Sequence, residues 1–233
     1  NCAPLVPVRN MQSVSACHMC GRCAGFKDAV ALQTRPSAQE IVHVAGQEAK
    51  PWETALIVFG LLGVAPGAFL WSSSPWFIDA KQRAAEWLVG HGVMWPLNPS
   101  LPWWILTNVP ENNDVLTPLD GALMIGYICA TAIVLGLVIM AALAVSSRAA
   151  GAFTMAKLHH FAQSLIPIAA CGVFLGLSAT TLSQLRADGV SLAFVPGLRI
   201  ALLAGASLWS LSLAWSISGR YARSFVARGA ATA

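Results

Sequence analysis

Four long stretches of this sequence contain no Asp, Glu, Lys or Arg, and they limit the fold more than any other feature. They run from Ala55 to Ser72 ("ALIVFGLLGVAPGAFLWS"), Ala122 to Val145, Phe161 to Leu182 and Ile200 to Ile217. A helix needs roughly 20 apolar residues to cross the hydrocarbon core of a bilayer. In that medium every backbone N–H and C=O must be satisfied within the protein, which favours helices over open sheets. The four stretches therefore predict an all-α membrane protein with four transmembrane helices. Pro66 and Pro167 fall inside the first and third spans, where kinks are expected. Composition agrees: the chain is 56% hydrophobic and only 10% charged, against about 25% charged in soluble domains.

The 14 Lys and Arg residues divide unevenly around these spans. Arg9, Arg22, Lys27, Arg35, Lys50, Arg148, Lys157, Arg220, Arg223 and Arg228 fall on one side. Lys81, Arg83, Arg186 and Arg199 fall on the other. Positive charge accumulates on the cytoplasmic side, so both termini are expected in the cytoplasm, with the chain in the cell's inner (cytoplasmic) membrane. The net charge of +4 comes without a long basic run, which argues against nucleic acid as a partner.

This reading divides the chain into a cytoplasmic segment (1–54), a transmembrane domain (55–218) with a long outer loop (73–120), and a cytoplasmic tail (219–233). The loop holds "DAKQRAAEWLVG", a short amphipathic helix, and then "WPLNPSLPWWILTNVPE", too interrupted by proline to span. Six of the nine tryptophans lie at or within it: Trp71, Trp76, Trp87, Trp95, Trp103 and Trp104. Indoles favour the headgroup layer, so the loop is expected along the outer membrane surface. The other reading is a partner-docking or quinone-site lid.

The cytoplasmic segment carries "ACHMCGRC", which spaces Cys17, Cys20 and Cys23 three residues apart. In a reducing compartment, clustered cysteines are more often metal ligands than disulfides. Gly21 allows the positive φ that a loop wrapping a cluster often needs. Three thiolates at this spacing suit a [4Fe–4S] cubane, whose fourth ligand comes from elsewhere, as in two-cluster bacterial ferredoxins. Lys27 stands where a ferredoxin's fourth cysteine would stand, and an ammonium group does not replace a thiolate on iron. Cys2, fifteen positions before Cys17 and followed by Pro4, is the candidate within this chain. The alternatives are a cysteine upstream of Asn1, water or His18. Zinc on four cysteines is the competing site, although it more commonly pairs two separate C-x₂-C units. Cys129 and Cys171 lie inside spans and read as small apolar packing residues.

At these residues, "CHMCGRC" beside a hydrophobic span, the sequence resembles the membrane-bound polyferredoxin-type proteins of the NapH, NosR and CcoG kind. The resemblance covers about fifty residues of cytoplasmic segment and the general layout. It implies transmembrane helices joined to cytoplasmic [4Fe–4S] modules that act in quinol-linked electron transfer or in support of respiratory metalloenzymes. The chain departs from that pattern at "AGFK", which follows Cys23 in place of a fourth cysteine, and it has no second full ferredoxin run. With its start at Asn1, it is expected to be the C-terminal part of a longer protein whose upstream segment holds a further cluster.

Among the histidines, His159 and His160 ("KLHHFAQSLIP") stand at the cytoplasmic start of the third span. Consecutive helical residues point about 100° apart, so the pair cannot both ligate one haem iron, and no histidines sit at matched depth on two spans. Haem is disfavoured. One reading of the pair is interfacial snorkelling beside Lys157. The other makes one of them, with Gln163 a turn later, a candidate quinone site, since histidine passes protons near neutral pH.

The sequence thus reads as a four-span helical membrane protein with a small N-terminal ferredoxin-like iron–sulfur segment. Its expected function is electron transfer through one [4Fe–4S] cluster, held by Cys17, Cys20, Cys23 and Cys2, in a quinone-linked respiratory or redox complex. Its expected partners are other membrane or cytoplasmic redox subunits, quinone and the lipid bilayer. The alternative is a non-catalytic membrane anchor or metalloenzyme assembly factor with a structural cluster or zinc site. Gly, Ala and Ser along the last two spans suit close helix packing, within the chain or against another subunit.

Overall fold

The computed structural model describes residues 20–24, 36, 38–46, 50–112, 114–222 and 224–232. Among these, four helices are long and apolar enough to cross a membrane: α1 (Pro51–Ser73), and three that follow the 74–117 connection. That connection begins with α2 (Pro75–Gly90) and ends in a two-residue hairpin, β1 (Asn108–Val109) pairing antiparallel with β2 (Asp114–Val115). Then come α3 (Pro118–Ala149), the short α4 (Met155–Gln163), α5 (Ile166–Ala187), α6 (Val195–Tyr221) and a terminal helix α7 (Phe225–Thr232).

α3 extends beyond its charge-free stretch because local capping decides its start. α3 starts at Pro118, four residues before the apolar run, because Thr117 and Asp120 form a reciprocal capping box. The Thr117 hydroxyl accepts from the Asp120 N–H, and the Asp120 carboxylate accepts from the Thr117 N–H at 3.0 Å, satisfying two otherwise orphaned donors. The third span differs from its sequence reading. Phe161–Gln163 belongs to α4, and a new helix opens at Ile166 with Pro167 in its first turn. A proline there lacks only an N–H that would be unpaired anyway. Pro167 therefore starts α5 and does not kink it. In α1 the Leu56–Val64 section is wound as a π-helix, and Pro66 sits in the first turn of the α-helical section that follows.

Contacts between elements arrange the ends. The start of α1, the end of α3, α4, the end of α6 and α7 gather at one end of the bundle, around Val58, Leu143, Leu158, Phe161, Leu213 and Ile217. At the opposite end, Phe77 of α2 packs edge-on against Trp71 and Tyr127, and Lys81 pairs with Asp120 at 2.5 Å. Between the ends, Gly63 of α1 lies directly against the Ala132 backbone of α3, the close approach that small residues permit in bilayers. Only 6% to 28% of each span's most apolar stretch is buried against the rest of the chain. The remaining apolar surface faces outward, as a lipid-solvated bundle requires. Cys129 is part of that outward face and does not pack inside, contrary to its sequence reading.

Candidate functional site

Two features carry chemistry. The first is the cysteine turn. Cys20 is exposed and Cys23 half-buried, and both thiols are free. Between them Gly21 adopts φ +75°, and its carbonyl accepts from the Ala24 N–H at 3.0 Å. The left-handed conformation costs glycine little, and the resulting turn leaves both thiols at the surface. Two thiols at C-x₂-C spacing on a glycine turn fit half of a thiolate-ligated centre. The other proposed ligands, Cys2 and Cys17, lie outside the described residues, as does His18. Among the described residues no three His, Cys, Asp or Glu side chains group as a metal site.

The second is a buried polar cluster at the α4 end of the bundle. Thr154 caps α4, its hydroxyl accepting from the Lys157 N–H, and the next turn carries the two histidines. The 100° offset per helical residue sends them to different neighbours. His159, 6% exposed, shares a hydrogen bond of 2.7 Å through Nδ1 with Thr54 Oγ1 of α1. Gln163, on the same face one turn on, donates to Glu53 Oε2 at 2.7 Å. Glu53 also pairs with Lys50 at 3.2 Å. His159, Gln163, Thr54 and Glu53 thus form one polar seam between α4 and the start of α1.

His160, 1% exposed, points the other way and has both nitrogens engaged. A carbonyl only accepts, so Nε2 carries the proton and donates to Ile41 O at 2.8 Å. Nδ1 then accepts from the Tyr221 hydroxyl at 2.6 Å. Burial holds the His160 pKa below its ordinary value, and the positive charges of Arg220 and His43 push it the same way, against the Ile41 carbonyl. Arg220 donates to the Val42 carbonyl. His160 and Arg220 together fasten residues 41 and 42 to the end of α6. The chain passes this point at Gly46, with φ +90°, where a Cβ would collide with the His160 ring.

The snorkelling reading of the histidines is therefore corrected: both rings are buried and hydrogen-bonded. Lys157 alone stays at the surface, donating to Ala152 O at 2.7 Å with its ammonium 5.2 Å from the centre of the Tyr221 ring. The cluster members that sequence reading missed are Glu53, Thr54, Arg220 and Tyr221. Their signal was faint: polar residues bracketing the spans, one of them among only two tyrosines in the chain. Nearby, an open groove of about 520 Å³ is lined among the described residues by Pro36, Ala38, Gln39, Val42, His43 and Ser216. His159, His160 and Gln163 do not line it.

No family model, curated protein or solved structure matches this chain.

Proposed function

We propose that the chain is the membrane-held electron-transfer part of a quinone-linked redox complex, with a [4Fe–4S] cluster on Cys17, Cys20, Cys23 and a fourth thiolate, for which Cys2 is the candidate. The observation that carries this reading is the Cys20–Cys23 turn: two free thiols on a left-handed glycine, accessible to a second protein. When bound, such a cluster supplies one-electron transfer, its potential set by charge, hydrogen bonding and exposure. The resemblance to the polyferredoxin-type membrane proteins points the same way. The cysteine segment, α4 and both chain termini are proposed to face the cytoplasm, on the positive-inside asymmetry.

Within the polar cluster the two histidines have different roles. Both His160 nitrogens are committed to holding the chain together. His159 Nε2 has no hydrogen-bond partner among the described residues, so His159, with Gln163, is the pair proposed to meet a quinone carbonyl. Glu53 would exchange the proton with water.

Anaerobic purification followed by iron, sulfide and zinc analysis and paramagnetic resonance tests the reading. A dithionite-reducible signal that is lost in C20S supports it. Stoichiometric zinc without iron would instead identify the structural anchor or assembly factor, and a metal-free chain would overturn both.

A further inference from the structure

We infer that α2 is an interfacial helix lying in the lipid headgroup layer on the side of the 74–117 connection, rotated so that one narrow stripe faces water. At 100° per residue, Gln82, Glu86, Asp79 and Arg83 fall within one arc of about 100°. Trp76, Trp87, Phe77, Leu88, Ile78 and Val89 occupy most of the remainder. The polar stripe is also internally paired: Arg83 bonds Asp79 at 2.6 Å, and Gln82 donates to Glu86 at 3.1 Å.

The bundle covers only the middle of the apolar arc. Phe77 is buried against Trp71 and Tyr127, whereas Trp76 is 78% and Trp87 59% exposed at one border of the arc, and Ile78 and Val89 are exposed at the other. Lys81, the one cation on this face, is neutralised by Asp120. Such a surface needs an apolar medium bounded by water.

Its place in the chain says which medium. α2 follows the last residue of α1 after Ser74 alone, and it touches the first turns of α3, so its level is where two spans leave the bilayer. Exposed apolar side chains stand on both sides of the junction, Phe69 and Leu70 at the end of α1 and Trp76 and Ile78 in α2. Helices with this division of faces lie in the plane of the interface, and indoles are enriched at that depth. Residues 74–117 carry four acidic side chains against two basic ones. Attraction to anionic lipid is therefore not what holds the helix, and neutral zwitterionic lipid suffices.

The test uses the full chain labelled with 5-fluorotryptophan in phosphatidylcholine nanodiscs, with the Trp76 and Trp87 fluorine resonances assigned through W76F and W87F. Relaxation is measured with lipid-soluble oxygen and with a water-soluble gadolinium chelate. Both resonances should show an oxygen-to-gadolinium ratio between that of Trp209, on the outward face of α6, and that of free fluorotryptophan. E86W adds an indole at the middle of the stripe, and its resonance should match free fluorotryptophan. If Trp76 and Trp87 match free fluorotryptophan, the helix is in water. If they are shielded from both agents, a protein partner covers them. If the E86W resonance matches Trp87, the rotation is wrong. Each of these results overturns the inference.

Discussion

His160→Ala is the sharpest perturbation available, because one imidazole joins three separate stretches of chain. Its Nε2 donates to Ile41 O and its Nδ1 accepts from the Tyr221 hydroxyl, in a site only 1% exposed. Truncation strands an acceptor and a donor. Each group left unpaired in the interior costs about 1–3 kcal/mol. The emptied ring volume adds a cavity cost, so about 3–6 kcal/mol of stability should be lost in all. H159A is the internal control. It removes one bond, to Thr54, whose hydroxyl lies in a helix where a carbonyl four residues back offers another acceptor. With the emptied ring volume its loss should be about 2–4 kcal/mol, below that of H160A, which strands two groups. The assay is thermal unfolding in detergent, with limited cleavage by a glutamyl endopeptidase after Glu40 reporting whether residues 41–46 have left the bundle. H160A should both lower the midpoint and speed that cleavage, while H159A should leave cleavage close to wild type. Equal effects of the two variants, or unchanged cleavage in H160A, would refute the assignment of His160 as the residue that fastens the segment.

Further expectations follow from the same geometry. Because the folded His160 pKa lies below its ordinary 6.5, the unfolded chain binds this proton first as pH falls. Its contribution is thus complete above 6.5 and declines below it, down to the folded pKa; H160Q should flatten that part of a stability profile measured between pH 7.5 and 5. Asp120→Ala removes the capping box and leaves Lys81 without its partner. With Lys81 half-exposed, the cost should be about 2–4 kcal/mol by thermal unfolding, and K81M/D120A should be less damaged than D120A alone. Iron content should fall in C17A, C20A and C23A and stay unchanged in C129A and C171A; iron loss in either of the last two equal to that in C20A would move the site. Protease sites placed at residue 95 and in the tail should be cut from opposite faces of sealed membranes, and cleavage from the same face would change the number of spans.

The four spans were legible in the sequence because a bilayer imposes a one-dimensional rule: a run of about 20 residues without charge has few other places to go. The amphipathic α2 was legible for a related reason, since its period of 3.6 residues is a local property. The cysteine turn was legible through spacing alone, and Gly21 takes the positive φ that its position suggested. Helix ends were less so. Whether Pro167 kinks a span or opens one depends on where α4 stops, and α4 stops where its Leu158, Phe161 and Ala162 are packed against α1, α3 and α6. The division of labour between His159 and His160 lay further out of reach. Adjacent histidines differ by a 100° turn, and only tertiary structure places Thr54 at the end of one arc and Ile41 and Tyr221 at the end of the other. Those partners lie 105, 119 and 61 residues away in the chain, so no local pattern encodes them. Hydrophobic periodicity assigned each helix its apolar faces, but which buried polar groups meet was decided by how the helices close.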